Sequence, residues 1–377
     1  MEYLNRLIHA SCCTRCISLF FLCLVAKVGA GQDSLQAVTI VDSTEILIAD
    51  DTTIAAAVDT TVSIAFDSTY KRVKLKPLEW SPYLHRKRLT AACVGTVGGY
   101  TAFMTAVGIS WYGNEKLGHF RWFRDEKEWL QIDKTGHFFA PYFITTYGYN
   151  MLRWSGMKNV PAALTAGAFS FLAMSAVEIP DGLSVKYGAS WSDIVFNFSG
   201  ASLATLQYIF WKEQRITVKY SFHHVNYPVG ELRDRAYDLY GEGFGERILK
   251  DYNGVTMWLS FNLHSFNHNI KPTWLNIAFG YAAGNLYGGF ENKWTDKNGV
   301  YHDRSDLQRY RRFIISLDAD LTKIKTNTRG GKLVLGILNI IKLPFPAIEF
   351  NTLGQFVFHP MYFLNFNTPI SVNMKRR

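Results

Sequence analysis

Three groups of residues in the middle of this chain combine types and spacings that can do chemistry. They are Asp133, Lys134 and His137; Glu178 and Asp181; and Ser190, Asp193 and Asn197. Each group ends an apolar run, where ionisable side chains are costly and ask for a reason. Asp133 and His137 are four residues apart, as are Asp193 and Asn197, so each pair shares one face of a helix, and Gly200 falls on the adjoining turn. One histidine with Glu178, Asp181 and Asp193 could hold a divalent metal through nitrogen and oxygen ligands. Alternatively, His137 could act as a general base oriented by a carboxylate. No nucleophile elbow, P-loop or zinc-binding helix motif chooses between these readings, and the sequence specifies neither a metal nor a cofactor.

Each residue taken singly also has a structural explanation. Asp133 is placed to cap a helix, as are Ser190, Ser192 and Asp193, and carboxylates in a first turn suit the helix dipole. Pro180-Asp181-Gly182 has turn chemistry, and Lys134 can pair with any nearby carboxylate. Capping does not account for His137, one turn inside its helix. Nor does it account for Glu178, expected near a helix end where the dipole disfavours negative charge. A purely structural ion-pair network and a chemical site both remain open.

The elements that would bring these groups together are helices. Leu89 to Trp111 is uncharged and rich in glycine, and its Gly95/Gly99 spacing invites close approach of another helix. Asp133 to about Leu152, Pro161 to Ile179 and Ser192 to Phe210 follow, with short connections that imply antiparallel neighbours. An up-down-up order over the last three sets all three polar groups at one end of the bundle.

After Arg215 the pattern changes. Ile216–Phe222, Thr256–Leu263, Trp274–Tyr281, Phe313–Leu321 and Gln355–Phe363 read as strands from β-branched and aromatic content. Arg233–Leu249 and Lys332–Ile341 read as helices, the second stopped by Pro344 and Pro346. Five clear strands fall short of the eight in a minimal membrane barrel. The expectation is an α+β protein: an antiparallel bundle of about four apolar helices, then an antiparallel sheet region with one or two helices. His264 and His268 lie in an Asn-rich stretch that reads as a loop rather than a metal site.

The chain has 377 residues, 48% of them hydrophobic and 15% aromatic, which suits a sheet-rich or membrane-associated protein. Its first thirty residues read as a signal peptide: Arg6 and Arg15, then a short apolar core at Ile17 to Val25, then Val28-Gly29-Ala30 before a cut. Cleavage removes three basic residues and one acidic residue, so the net charge falls from +9 to +7. The basic residues are scattered and no base-reading motif accompanies them, which argues against nucleic acid and for anionic lipid as the partner. Protein partners are not legible. Four of the five cysteines fall in the signal, so Cys93 alone remains, without a disulfide partner. The domain order expected is residues 1–30 signal, 31–70 a Thr- and Asp-rich tether, 71–215 a membrane-associated helical bundle and 216–377 the sheet region.

Asp133-Lys134-x-x-His137, Glu178-x-x-Asp181-Gly182 and Ser190-Trp191-Ser192-Asp193-x-x-x-Asn197-x-x-Gly200 resemble the YfiM-type family of Gram-negative envelope proteins. The resemblance extends through Trp211 to Arg215, Asp251 to Gly254, Trp274 to Asn276 and Ser316 to Asp318, over roughly residues 85 to 365. More loosely, the skeleton is similar to VanZ-like membrane proteins. The resemblance implies an envelope location and a helical core, and it transfers no activity. Unlike the lipoprotein members, the chain has no cysteine after the apolar core for a lipid to modify. The sequence therefore points to an exported envelope protein at the outer membrane or its periplasmic face. Two functions follow: a structural or lipid-contacting component, or a membrane-facing enzyme acting on lipid or cell-wall precursors.

Overall fold

A computed structural model describes residues 76–112, 118–185, 187–362 and 370–373. The signal and tether expected over residues 1–70 lie outside the described residues. Helices fill the first part: α1 (Arg86–Tyr112), α2 (Ile132–Trp154), α3 (Asn159–Ser175), the short α4 (Glu178–Leu183) and α5 (Trp191–Phe210). Their shared core is Tyr149, Leu152, Met157, Phe169 and Tyr208 with a run of alanines, and α1 adds Cys93 and Tyr100. Burial pushes the Cys93 thiol up to about 11, which makes it inert.

Two expectations about the bundle change. The third helix does not run on to Ile179. It stops at Ser175 and restarts at Glu178, because Pro180 has no N–H for the carbonyl four residues back and its ring crowds that turn. The close approach expected at Gly95 and Gly99 falls elsewhere. A Cβ on Gly99 would meet nothing within 4 Å, whereas one on Gly200 would lie 2.0 Å from the Phe138 carbonyl oxygen. It is α5 that comes backbone to backbone against α2, and the missing side chain at Gly200 permits it.

Strands dominate from Ile216. β1 (Ile216–Phe222), β2 (Val255–Asn262), β3 (Leu275–Gly284), β6 (Tyr310–Ala319), β7 (Ala347–Asn351), β8 (Gln355–His359) and β9 (Ile370–Asn373) form one antiparallel sheet in that order. β4 (Lys293–Thr295) and β5 (Tyr301–Asp303) make a separate hairpin. The helix expected over Arg233–Leu249 is two, α6 (Glu231–Tyr240) and α7 (Phe244–Lys250), parted where Gly241 turns left-handed at φ +83°. α8 (Arg329–Leu338) lies in the connection from β6 to β7, and the same connection pairs with the outer edge of β1 through Tyr220.

The sheet differs on both faces from that of an ordinary soluble domain. Its covered face joins a small apolar core of Trp258, Ala278, Ala282, Ile314 and Ala347 to a set of buried charges and amides. Lys219, Ser260, Asn276 and Asp318 are all fully buried there. Lys219 Nζ lies 2.8 Å from Asp318 Oδ2, Ser260 donates to the same oxygen at 2.7 Å, and Asn276 donates to Ser260 at 2.8 Å. Arg312 grips Glu349 with two bonds of 2.9 and 2.7 Å, and His359 Nε2 lies 2.9 Å from Glu349 Oε2. Among the described side chains the opposite face is apolar apart from Arg311. α2 and the turn before it cover its β1–β3 part, where Val218 and Leu259 meet Phe138, Phe139 and Tyr142, and Ile132 packs with Val255, Ala283 and Tyr281. Beyond that, Phe279 faces Ile315, Phe313 faces Phe350, and Ile348 stands between Ile315 and Phe358, all on the exposed side.

Candidate functional site: a histidine and carboxylate cluster

The start of α2 sets the site. Trp129, Leu130 and Gln131 all adopt left-handed backbone angles (φ 49°, 50° and 66°) before the helix begins at Ile132. The sheet side holds this turn. Trp129 N donates to the Gly289 carbonyl at 2.7 Å, the Tyr281 hydroxyl donates to the Leu130 carbonyl, and Arg311 donates to Gln131 Oε1 at 2.7 Å. The first turn of α2 therefore presents Asp133, Lys134 and His137 inward.

Lys134 is buried and fully engaged. Its ammonium donates to Asp125, to Asp193 Oδ1 at 2.6 Å and to Asp133 Oδ2 at 3.3 Å. Burial disfavours its charge, but Asp133, Asp193 and the bond to Asp125 outweigh burial and hold its pKa above the usual lysine range. Ser190 and Ser192 donate to Asp125 Oδ1 at 2.6 and 2.9 Å, and Ser190 Oγ also caps α5 by accepting from Asp193 N at 3.2 Å.

Asp133 does not cap α2. Its carboxylate instead bonds Lys134 and accepts the Tyr252 hydroxyl at 3.1 Å. Glu178 stands in the first turn of α4 rather than at the close of a long helix, so the dipole argument against it falls away, and it accepts Ser190 N at 2.9 Å. Its carboxyl is pushed up to about 8, chiefly by burial. Burial also raises the Asp193 carboxyl, aided by the charge of Asp133.

His137 lies between these groups. Its Nδ1 is 3.3 Å from Asn197 Oδ1 and 3.8 Å from Glu178 Oε1, and its Nε2 is 3.7 Å from Asp193 Oδ2. Burial lowers the imidazole pKa, and Asp133, Asp193 and Glu178 together reverse the effect and raise it. Asp181, on α4, bears on Glu178 through its charge. The ligand atoms of Asp133, His137 and Asp193 fall within 4.8 Å of one another; Asp181 is not in this group.

Sequence reasoning missed three members. Asp125 is the second anchor of Lys134. Glu128, pushed up to about 7 by burial and then by Asp133, adds another carboxylate, and Tyr252 reaches in from the sheet side. Asp125 sits in a run of charged residues that reads as solvated surface. It becomes interior because Phe123 N donates to the Ala189 carbonyl at 2.9 Å and Ala189 N to the Arg121 carbonyl at 3.0 Å, which ties its loop to the start of α5. Beside the cluster, Trp122 stacks on Trp191 at 4.3 Å with Phe120 against its edge, and all three rings are exposed.

The paired helices, the capping serine and this polar end coincide with the span that the comparisons recognise. Residues 119–209 match the family described as predicted periplasmic lipoprotein (DUF2279). The match runs from the aromatic loop to the last turn of α5 and stops before the sheet. No curated protein and no solved structure matches the chain. The protein is an exported component of the cell envelope, as its sequence implies, facing the periplasm.

Chemically, the cluster offers an imidazole flanked by carboxylates, suited to proton transfer, and a set of nitrogen and oxygen donors suited to a cation. The other histidines lie apart from it. The His264 and His268 rings stand 5.2 Å apart, edge to face, and burial and Arg312 push His223 down to about 3.

Proposed function

We propose that this protein is a lipid-contacting component of the envelope that rests its open apolar sheet face on one leaflet of a membrane. The open apolar face carries this reading. Paired charges and amides share the covered face with Trp258, Ala278, Ala282 and Ile314, while Phe279, Phe313, Ile315, Leu317, Ile348, Phe350, Phe356 and Phe358 line the open one. In water such an arrangement wastes burial; against hydrocarbon it is the favourable order. Attachment is meant rather than spanning, because an open sheet has edge N–H and C=O groups that a bilayer core leaves unsatisfied. Among the described residues one helical stretch, Asn159–Leu183, is long and apolar enough to cross a bilayer, and half of it is buried within the protein.

Flotation of the purified mature protein with phosphatidylglycerol and phosphatidylethanolamine vesicles tests the reading. The protein should float at low and high salt alike, because the contact is apolar. Ile315→Glu with Ile348→Glu, two exposed neighbours in register, should cut binding on the order of tenfold or more while circular dichroism stays unchanged. Undiminished flotation of the double variant, or wild-type protein left at the bottom of the gradient, would refute it.

A second reading is favoured by the position of His137 between Glu178 and Asp193, beside the exposed Trp122–Trp191 stack. In it the protein is a membrane-facing enzyme acting on lipid or cell-wall precursors, with His137 as the proton carrier. His137→Gln should then leave abundance and folding intact and abolish the cellular phenotype. A phenotype that merely tracks lost protein would leave the structural reading alone standing.

A further inference from the structure

We propose that Asp133, His137 and Asp193 bind a divalent transition cation, with Glu178 and Asn197 positioning the histidine. The inference does not depend on lipid contact. The three ligand groups lie close enough for one ion: their donor atoms fall within 4.8 Å of one another, and a cation bound at about 2.0–2.2 Å from each would draw each in by about 1 Å or less, within the reach of side-chain rotation. Asp133 and His137 stand one turn apart on α2, and Asp193 is delivered by the close contact of α5 at Gly200. Asp133 and His137 keep 25% and 16% of their side chains open to solvent, which provides an entry path.

Two observations at the same place point to a missing partner. Glu178 Oε1, an acceptor, is buried without a hydrogen-bond partner and faces the His137 ring from 3.8 Å. Unpaired buried polar atoms are costly. Oxygen donors also outnumber the cationic side chains: Asp125, Glu128, Asp133, Glu178 and Asp193 surround one lysine and one histidine, and the Lys134 ammonium is already shared among three of them.

The supporting hydrogen bonds have the pattern of a metal ligand set. With Nδ1–H donated to Asn197 Oδ1, His137 turns the lone pair of Nε2 toward Asp193 Oδ2. The Tyr252 hydroxyl and Lys134 fix Asp133, and Lys134 fixes Asp193. One imidazole with two carboxylates, and no thiolate, selects zinc, manganese or ferrous iron over a copper(I) site or an all-oxygen calcium cage.

The test uses the mature full-length protein, stripped with chelator and titrated with Zn²⁺ and with Mn²⁺ by calorimetry, with bound metal counted by mass spectrometry and no vesicles present. The expected result is one ion per chain and a higher thermal midpoint on loading. Asp133→Asn, whose amide can still accept from Lys134 and donate in turn to the Tyr252 oxygen, and His137→Gln should each weaken binding about tenfold or more. The apo midpoint of Asp133→Asn should stay near wild type, so this variant decides the matter if His137→Gln does not fold. His359→Gln, which alters a histidine bonded to Glu349, should bind as wild type. The proposal is overturned if neither metal binds, if Asp133→Asn binds as tightly as wild type, or if His359→Gln removes the ion.

Discussion

Lys134 Nζ sits 2.6 Å from Asp193 Oδ1 and so joins the first turn of α2 to the first turn of α5. The same ammonium also holds Asp125 and Asp133. Removing it leaves buried carboxylates facing one another. Lys134→Met should therefore cost about 3–5 kcal/mol in urea unfolding. Lys323→Met, which breaks a partly exposed pair with Glu213, should cost about 1 kcal/mol or less. A loss at Lys134 no larger than that at Lys323 would show that the network does not hold the bundle end together.

Glu349 gives the sheet an acid limit. Burial alone would raise its carboxyl, but His359 and Arg312 overcome burial and hold it down from 4.5 to about 2. A carboxyl depressed in the folded state adds stability that is complete above its unfolded pKa. That stability is lost as pH falls from about 4.5 through about 2, and it amounts to about 3 kcal/mol. Thermal midpoints of wild type should drop steeply over that window. Glu349→Gln should lower the midpoint at neutral pH and flatten the acid slope; a slope as steep as that of wild type would assign the acid sensitivity to other groups.

The two glycines that differ most in surroundings should respond with opposite signs. Gly200→Ala places a Cβ 2.0 Å from the Phe138 carbonyl and should cost about 1–3 kcal/mol as α5 is forced from α2. Gly99→Ala meets nothing within 4 Å in the middle of α1 and should stabilise by up to about 1 kcal/mol through helix propensity. Paired thermal melts of the two variants decide it. Equal losses would mean that α1, too, packs through its glycines.

Export should remove the first thirty residues. The mature chain recovered from the envelope is expected to begin at Gly31, and its intact mass measures this directly. Retention of Met1 to Ala30 would overturn the signal reading and return Cys12, Cys13, Cys16 and Cys23 to the mature protein.

The helices were legible because each is long, apolar and bounded by polar residues. The β1 span was read to the residue from Ile216 to Phe222, since β-branched and aromatic residues crowd it. β7 was hidden because Pro344 and Pro346 mark a stop immediately before Ala347 and give no sign that a strand follows. The convergence of His137 with Glu178 and Asp193 followed from helix order alone. Asp125 did not, because nothing local distinguishes it from the charged residues on either side, and its burial depends on a loop pairing near Ala189. Tyr252 lies 119 positions from Asp133, and helical spacing has no means of relating them. The polarity of the sheet was obscured for a similar reason: alternation shows two unlike faces but not which one the rest of the chain will cover.

The left-handed turn at Trp129, Leu130 and Gln131 bears on the order of assembly. L-residues in that conformation cost about 1–2 kcal/mol each. The groups that hold them are Gly289, Tyr281 and Arg311, the last two lying 151 and 180 positions from their partners. Helices close in sequence can gather early as the chain emerges, whereas the turn that aims Asp133, Lys134 and His137 waits for strands made long afterwards. The turn that presents the polar cluster thus gains its full support only once the chain has been made through β6, and a chain cut before Arg311 lacks one of its three holds.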